Sequence, residues 1–205
     1  MTTRFHKHDL PDLSNYQVEA VAIDTETLGL NPHRDRLCVV QISPGDGTAD
    51  VVQIAPGQRE APNLVSLLRN PSITKLFHYG RFDIAVLFNA FGVMAEPVFC
   101  TKIASRLVRT YTDRHGLKDI TAELLGINLS KIQQSSDWAA DTLTPEQIDY
   151  AASDVLHLHR LREVLLSRLV RDGRLAEAEA CFRFLPTRAK LDLMGWGEED
   201  IFAHS

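Results

Sequence analysis

Four acids and one tyrosine stand at spacings that suit hydrolysis of a phosphodiester. Asp24 and Glu26 lie two apart in Asp24-Thr25-Glu26, Asp83 ends Phe77-His78-Tyr79-Gly80-Arg81-Phe82-Asp83, and Tyr150 precedes Asp154 by four. Residues two apart on a strand point to one face, and residues four apart on a helix stack on one side. Carboxylates crowded in one cleft repel one another unless cations neutralise them. Hard divalent ions with oxygen ligands, Mg²⁺ or Mn²⁺, are the natural answer. Two such ions about 3.5–4 Å apart activate a water and stabilise the attacking and leaving oxygens of a phosphodiester. Tyr150 would orient that water or help deprotonate it. A tyrosine pKa near about 10 leaves most of the activation to the metal.

The elements that must position these groups follow from periodicity. Residues 18–23 form a mostly apolar run that reads as a buried strand, with Asp24 and Glu26 projecting at its end. Asp83 opens a helical pattern that buries Ile84, Leu87, Phe88 and Phe91. Ile148, Ala151, Val155, Leu158 and Leu161 recur at helical spacing, so Tyr150 and Asp154 share a helix face. Thr144-Pro145-Glu146-Gln147 supplies a start signal, with Pro at the first helical position and Gln147 closing a capping box. Strands are expected at 37–43 and 50–54 around the turn cluster 44–47, then at 73–77 and 98–100. Helices are expected at 102–109, 117–125 and 145–171, the last broken before Gly173. The result is a mixed sheet covered by helices in one α/β domain with a sizeable core, for which 205 residues suffice.

At these residues the chain resembles the DEDD superfamily of 3′-5′ exonucleases. The first motif is Asp24-Thr25-Glu26, the second Asp83, the third Tyr150-x-x-x-Asp154. The spacing selects the tyrosine branch, because the histidine branch would place His at 149, where this chain has Asp149. The likeness covers most of residues 18–165, and Gln134 to Asp154 resembles ribonuclease D in particular. Two departures stand out: Tyr79 follows His78 where many relatives have an amide, and Asp137-Trp138 is followed by Ala-Ala-Asp141 instead of Arg-Pro-Leu. Ribonuclease D continues into helical RNA-binding domains for which this length leaves no room. A short tyrosine-branch chain is most similar to nano-RNase C, a family that degrades very short oligoribonucleotides as a ring-shaped octamer.

That resemblance implies an RNase H-like (DnaQ-like) exonuclease fold, a pair of Mg²⁺ or Mn²⁺ ions, and short single-stranded RNA, possibly DNA, as substrate. It implies Asp24 bridging both metals, Glu26 and Asp154 completing one site, Asp83 holding the other through water, and Tyr150 positioning the nucleophile. Leu30, just after the first motif, would wedge between the two terminal bases. His78 near Asp83 would meet a phosphate or make a structural hydrogen bond.

A net charge of −5 argues against a long electrostatic track for extended nucleic acid. Locally, Lys102, Arg106, Arg109, Arg114 and Lys118 cluster with Tyr111 and His115. This stretch would offer phosphate contacts and a stacking surface, with Tyr111 and Arg114 as substrate-binding candidates, or else be a solvated face. Phe182, Phe184, Leu185, Met194, Trp196, Ile201 and Phe202 are too apolar for a solvated tail. The chain is therefore divided into an exonuclease domain at 1–180 and an extension at 181–205 that docks on the core or on an adjacent subunit.

Cys38, Cys100 and Cys181 are scattered and odd in number without a CxxC, which argues against a zinc site or disulfide framework and suits a reducing cytoplasm. His6-Lys7-His8 reads as a polar flank, and His157 and His159 as packed or exposed, His157 alternatively supporting Asp154 from within one helical turn. Neither a signal peptide nor a membrane span is expected. An inactive nucleic-acid-binding subunit on the same fold is the non-enzymatic alternative. A binder would not need four acids and a tyrosine.

Overall fold

A computed structural model describes residues 2–204 apart from 131 and 134, so Gln134 of the ribonuclease D-like stretch lies outside the described residues. Six strands form one sheet in the order β1-β4-β3-β2-β5-β6: β1 (Thr2–Lys7), β2 (Ala20–Thr27), β3 (Leu37–Ser43), β4 (Thr48–Gln53), β5 (Thr74–Phe77) and β6 (Val98–Cys100). The run β2-β3-β4 is antiparallel, while β5 and β6 extend the sheet in parallel from β2. The sheet is therefore mixed, as predicted. Its helices are α1 (Pro62–Arg69), α2 (Arg81–Phe91), α3 (Thr101–Val108), α4 (Leu117–Leu125), α5 (Pro145–Val155), α6 (Leu158–Arg171) and α7 (Leu175–Leu191).

β2 is the strand that matters. Val21, Ala22 and Ile23 are fully buried, and the ladder does not stop there. Asp24, Thr25 and Glu26 pair with Gln41, Val40 and Val39 of β3, and the register slips only between Glu26 and Thr27. The acids thus sit inside a paired strand, not beyond its end, and that fixes their directions. The predicted capping box of α5 is present, Thr144 Oγ1 accepting from the Gln147 amide and the Gln147 side chain accepting from the Thr144 amide.

The helix expected at 145–171 breaks at Leu156-His157. α5 packs on β2, β3 and β4, whereas α6 packs mainly on α3 and α4, with smaller contacts on β2 and β5. One straight helix could not serve both surfaces, so the chain turns between the buried Val155 and Leu158. α7 runs through the expected domain boundary at 180. Phe182 and Leu185 join the core, with the Phe182 ring 4.7 Å from Phe99, while Phe184, Met194, Trp196 and Phe202 remain exposed.

The His6-Lys7-His8 flank is also different from expectation, since Thr2–Lys7 is a strand parallel to β4. Its attachment is polar. Buried Asp50 accepts from Arg4 Nε and Nη2 at 2.7 Å each and from the Tyr16 hydroxyl at 2.6 Å, with His6 Nε2 also 2.7 Å away.

Candidate active site

Asp24 and Glu26 from β2, Asp83 from the first turn of α2, and Tyr150 and Asp154 from one face of α5 all line a single cleft of about 350 Å³. Carboxylate oxygens of Asp24, Glu26 and Asp154 lie within 4.8 Å of one another. Asp83 stands outside this trio, its Oδ1 accepting from Thr25 Oγ1 at 2.7 Å. The residue between the two strand acids therefore anchors the third. On the other side Gln41, fully buried and opposite Asp24 in the ladder, donates from Nε2 to Asp24 Oδ2 at 3.1 Å. Tyr150 packs on buried Trp138 with ring centroids 6.1 Å apart.

The electrostatics mark a site built for cations. Burial, then repulsion by Asp83, Asp154 and Glu26, holds the Asp24 carboxyl well above the usual carboxylate range. Burial followed by Asp154 and Asp83 pushes Glu26 up to about 9. Burial also raises Asp83 to about 7 against the Thr25 hydrogen bond, and Asp154 to about 7 against that of Tyr150. Four acids that resist ionisation together, with ligand oxygens converging, fit hard divalent ions and no softer metal.

This carries a prediction for the metal-free protein. A carboxylate whose folded pKa lies above its unfolded value of about 4 costs stability as pH rises from that value through the folded pKa. Histidines act oppositely: burial lowers His78 to about 3, so its cost appears as pH falls below about 6.5. The quantity to measure is therefore the rise in melting midpoint on adding Mg²⁺ at each pH, in which the histidine contribution cancels. That rise is expected to be larger at pH 8 than at pH 5.5 by at least about 5 °C, taking roughly 2–4 °C per kcal/mol. A pH-independent rise would contradict the assignment.

Seven of the nine predicted site residues meet at the cleft. Leu30 stands 86% exposed at its lip on a self-bonded loop, in which Asp35 accepts from the Asn31 amide at 2.9 Å. His78 lines the cleft as a neutral ring, with Nδ1 2.9 Å from Thr101 Oγ1, so the structural hydrogen bond is present. Tyr111 and Arg114 stand away from it. The Tyr111 hydroxyl donates to Glu123, and Arg114 pairs with Asp119 at 2.6 Å. Of the basic cluster, Lys102 and Lys118 reach the cleft, whereas Arg109 is buried in an ion pair with Glu123.

Thr25 and Gln41 were missed as positioning groups. The only sequence signal for Gln41 was one amide inside an otherwise apolar strand. Tyr79 was noted as a departure, and its backbone explains why an amide is common there. Its φ of 66° is left-handed, which asparagine tolerates and tyrosine does not, at a cost on the order of 1 kcal/mol. The Lys102 ammonium lies 4.3 Å from the centroid of its ring.

A converging acid set on this mixed sheet defines a class, and comparison with known proteins agrees. The family model described as 3′-5′ exonuclease matches residues 9–170, and the chain belongs to that family. Among solved structures, NrnC from Brucella melitensis with bound Mg²⁺ is 72% identical over the whole of both chains, with a TM-score of 0.97. The same protein bound to pGG matches with a TM-score of 0.98 at 73% identity, again over both whole chains. Ribonuclease D of Gluconacetobacter diazotrophicus is 38% identical over 155 residues, 76% of this chain and 39% of that protein. The chain thus spans about two fifths of the length of the curated relatives it matches. Among the described residues no helix is long and apolar enough to cross a membrane.

Proposed function

We propose that this chain is a metal-dependent 3′-5′ exoribonuclease that hydrolyses very short oligoribonucleotides, dinucleotides above all, at the last step of RNA degradation in the cytoplasm. The observation that carries the reading is the convergence of five motif residues in one cleft, in a chain that matches NrnC from end to end, including the form bound to pGG. Asp24, Glu26 and Asp154 would hold one ion directly, with Asp24 shared and Asp83 serving a second through water. When bound, two Mg²⁺ or Mn²⁺ ions would supply an activated water and charge stabilisation for the leaving oxygen.

The protein's own groups do the rest. Burial and then the Asp154, Glu26 and Asp24 charges push the Tyr150 hydroxyl further above its ordinary value. It therefore keeps its proton at neutral pH and orients the nucleophile by hydrogen bonding. Lys102 and Lys118 on the cleft wall offset the charge of the substrate phosphates. Leu30, unsupported by the core, separates the two bases. Leu30→Ala is expected to raise KM for a dinucleotide roughly tenfold, the lower end of what burying a leucine side chain contributes, with the Mg²⁺ requirement unchanged. Unchanged turnover of the dinucleotide would refute the wedge. Exposed Phe184, Met194, Trp196 and Phe202 favour self-assembly through the C-terminal segment, an octameric ring on the likeness to nano-RNase C.

The deciding experiment incubates the protein and Asp24→Ala with 5′-labelled RNAs of two to twenty nucleotides in Mg²⁺ or Mn²⁺. Preferential loss of the dinucleotide supports the proposal. Efficient laddering of long RNA or DNA that leaves the dinucleotide would instead establish trimming like that of the ribonuclease D relatives. Metal-dependent cleavage of no substrate would establish a binding subunit.

A further inference from the structure

The loop that carries Leu30 to the cleft also walls a second space. This pocket, of about 180 Å³, shares no lining residue with the catalytic cleft. Three segments enclose it: the loop from Pro32 to Leu37, the turn after β4 from Ile54 to Arg59, and Val86, Asn89 and Ala90 of α2. They are tied to one another. Asn89 Nδ2 donates to the Pro32 carbonyl at 2.8 Å, and Arg59 Nη1 donates to the Asn89 carbonyl at 3.0 Å. Arg36 Nη1 reaches from the loop to the Ile54 carbonyl at 3.0 Å. The turn is braced as well, with Gly57 at a left-handed φ of 73° and the Gln58 side chain accepting from the Ala55 amide at 3.1 Å.

Charge sets the pocket apart. Arg34, Arg36 and Arg59 line it against one carboxylate, Asp35, in a chain whose net charge is −5. That carboxylate is already used. Asp35 accepts from Arg34 Nε at 2.7 Å and Nη2 at 2.9 Å, and from the Asn31 amide at 2.9 Å. Arg36 and Arg59 differ: among the described residues each donates only through Nη1, and only to neutral backbone carbonyls. Any neutral donor could satisfy a carbonyl, so these bonds leave two guanidinium charges unanswered and their Nε and Nη2 donors unspent. An adjoining recess of about 170 Å³ shares Arg36, Ile54 and Ala55, and adds Lys7 and His8 with Asp141 as its one acid. The positive field therefore extends past the pocket itself.

Guanidinium forks match the oxygens of a phosphate better than any other common anion of this size. At roughly 30 Å³ per water the pocket has room for about six, which suffices for a phosphate group and part of a sugar. We propose that the pocket binds a phosphate-type dianion between Arg36 and Arg59, as free phosphate or as the phosphate of a nucleoside monophosphate. The site is separate from the metal cleft and does not depend on the exonuclease reading. Its occupant would bridge the loop that presents Leu30 to α2, the helix that presents Asp83.

The test is titration calorimetry on the full chain, stripped of metal with a chelator and dialysed free of it. Potassium phosphate is compared with potassium chloride at equal ionic strength. Saturable phosphate binding is expected, with half-saturation on the order of 1 mM, and chloride should not reproduce it. Arg59 is exposed, so Arg59→Gln should fold, and it should weaken phosphate at least about tenfold. Arg59→Lys keeps the charge and should lose less. Adenosine monophosphate separates the two sources: tighter binding than phosphate, with the same loss in Arg59→Gln, identifies a nucleotide site, and weaker binding a free-phosphate site. Hydrogen exchange locates the occupant, since amides at 33–36 and 57–59 should slow on saturation. Absence of saturable binding overturns the proposal. Binding that Arg59→Gln leaves within twofold overturns it too, as does binding lost in Lys118→Ala, because the anion would then sit in the cleft. Turnover of the dinucleotide by the unaltered protein judges the exonuclease reading separately.

Discussion

Asp24→Ala is expected to lower turnover by at least about a thousandfold while leaving the metal-free protein folded. A thousandfold corresponds to about 4 kcal/mol of barrier, a modest share of what bound metal contributes to phosphodiester hydrolysis. Asp24 feels the charges of all three other acids, shares with Glu26 and Asp154 a trio of oxygens within 4.8 Å of one another, and is held by Gln41 at 3.1 Å. Stability should move the other way. Without metal the Asp24 charge faces three like charges in a buried setting, and its removal relieves them. Against this, alanine leaves the Gln41 amide without its acceptor, a cost of about 1–3 kcal/mol. Asp24→Asn removes the charge and keeps a partner for Gln41. It should therefore melt higher in chelator than the unaltered protein, most clearly at pH 8, and higher than Asp24→Ala. Activity of either variant within tenfold of normal would remove Asp24 from the metal site.

Tyr150→Phe should lose about a hundredfold in kcat, the lower end for a positioned proton-transfer or orienting group. KM and the Mg²⁺ half-saturation should stay within twofold, because the ring keeps its packing on Trp138 and the four acids are intact. The pH–rate profile should keep its shape, since a hydroxyl raised above its ordinary value is not the group that titrates near neutrality. A variant with full kcat would show that the water needs no tyrosine to direct it.

Which parts of this could be read from the sequence depends on the kind of force that sets them. α4 and the start of α5 were legible because their signals are local: Gly126 stops the first in a left-handed cap, and Thr144 with Gln147 opens the second. Asp24, Glu26, Asp83, Tyr150 and Asp154 were legible because spacing within each element fixes the face. The break at Leu156-His157 was not, because only the diverging surfaces under α5 and α6 demand it. β1 escaped notice since polar alternation ending in His6-Lys7-His8 looks solvated until Asp50, forty-odd residues away, is known to be buried beneath it. α1, with Pro62 at its start, went unlisted among the expected helices because its eight residues are short for a periodic signal. Tyr111 and Arg114 looked like ligands by type, but Glu123 and Asp119, one helix further on, take their polar groups.

The edge of the sheet has a consequence for how the molecule behaves in bulk. β1 is a polar strip laid along β4, whose Ala49, Val51 and Val52 are completely buried. Peeling that strip away would bare a row of unpaired backbone groups flanked by apolar side chains, which is a template for adding strands from other molecules. Besides the backbone ladder to β4, its side-chain adhesion centres on the Asp50 carboxylate that Arg4, His6 and Tyr16 share. Damage at that carboxylate would show itself first as loss of solubility, with the distant catalytic cleft still intact in whatever remained dissolved.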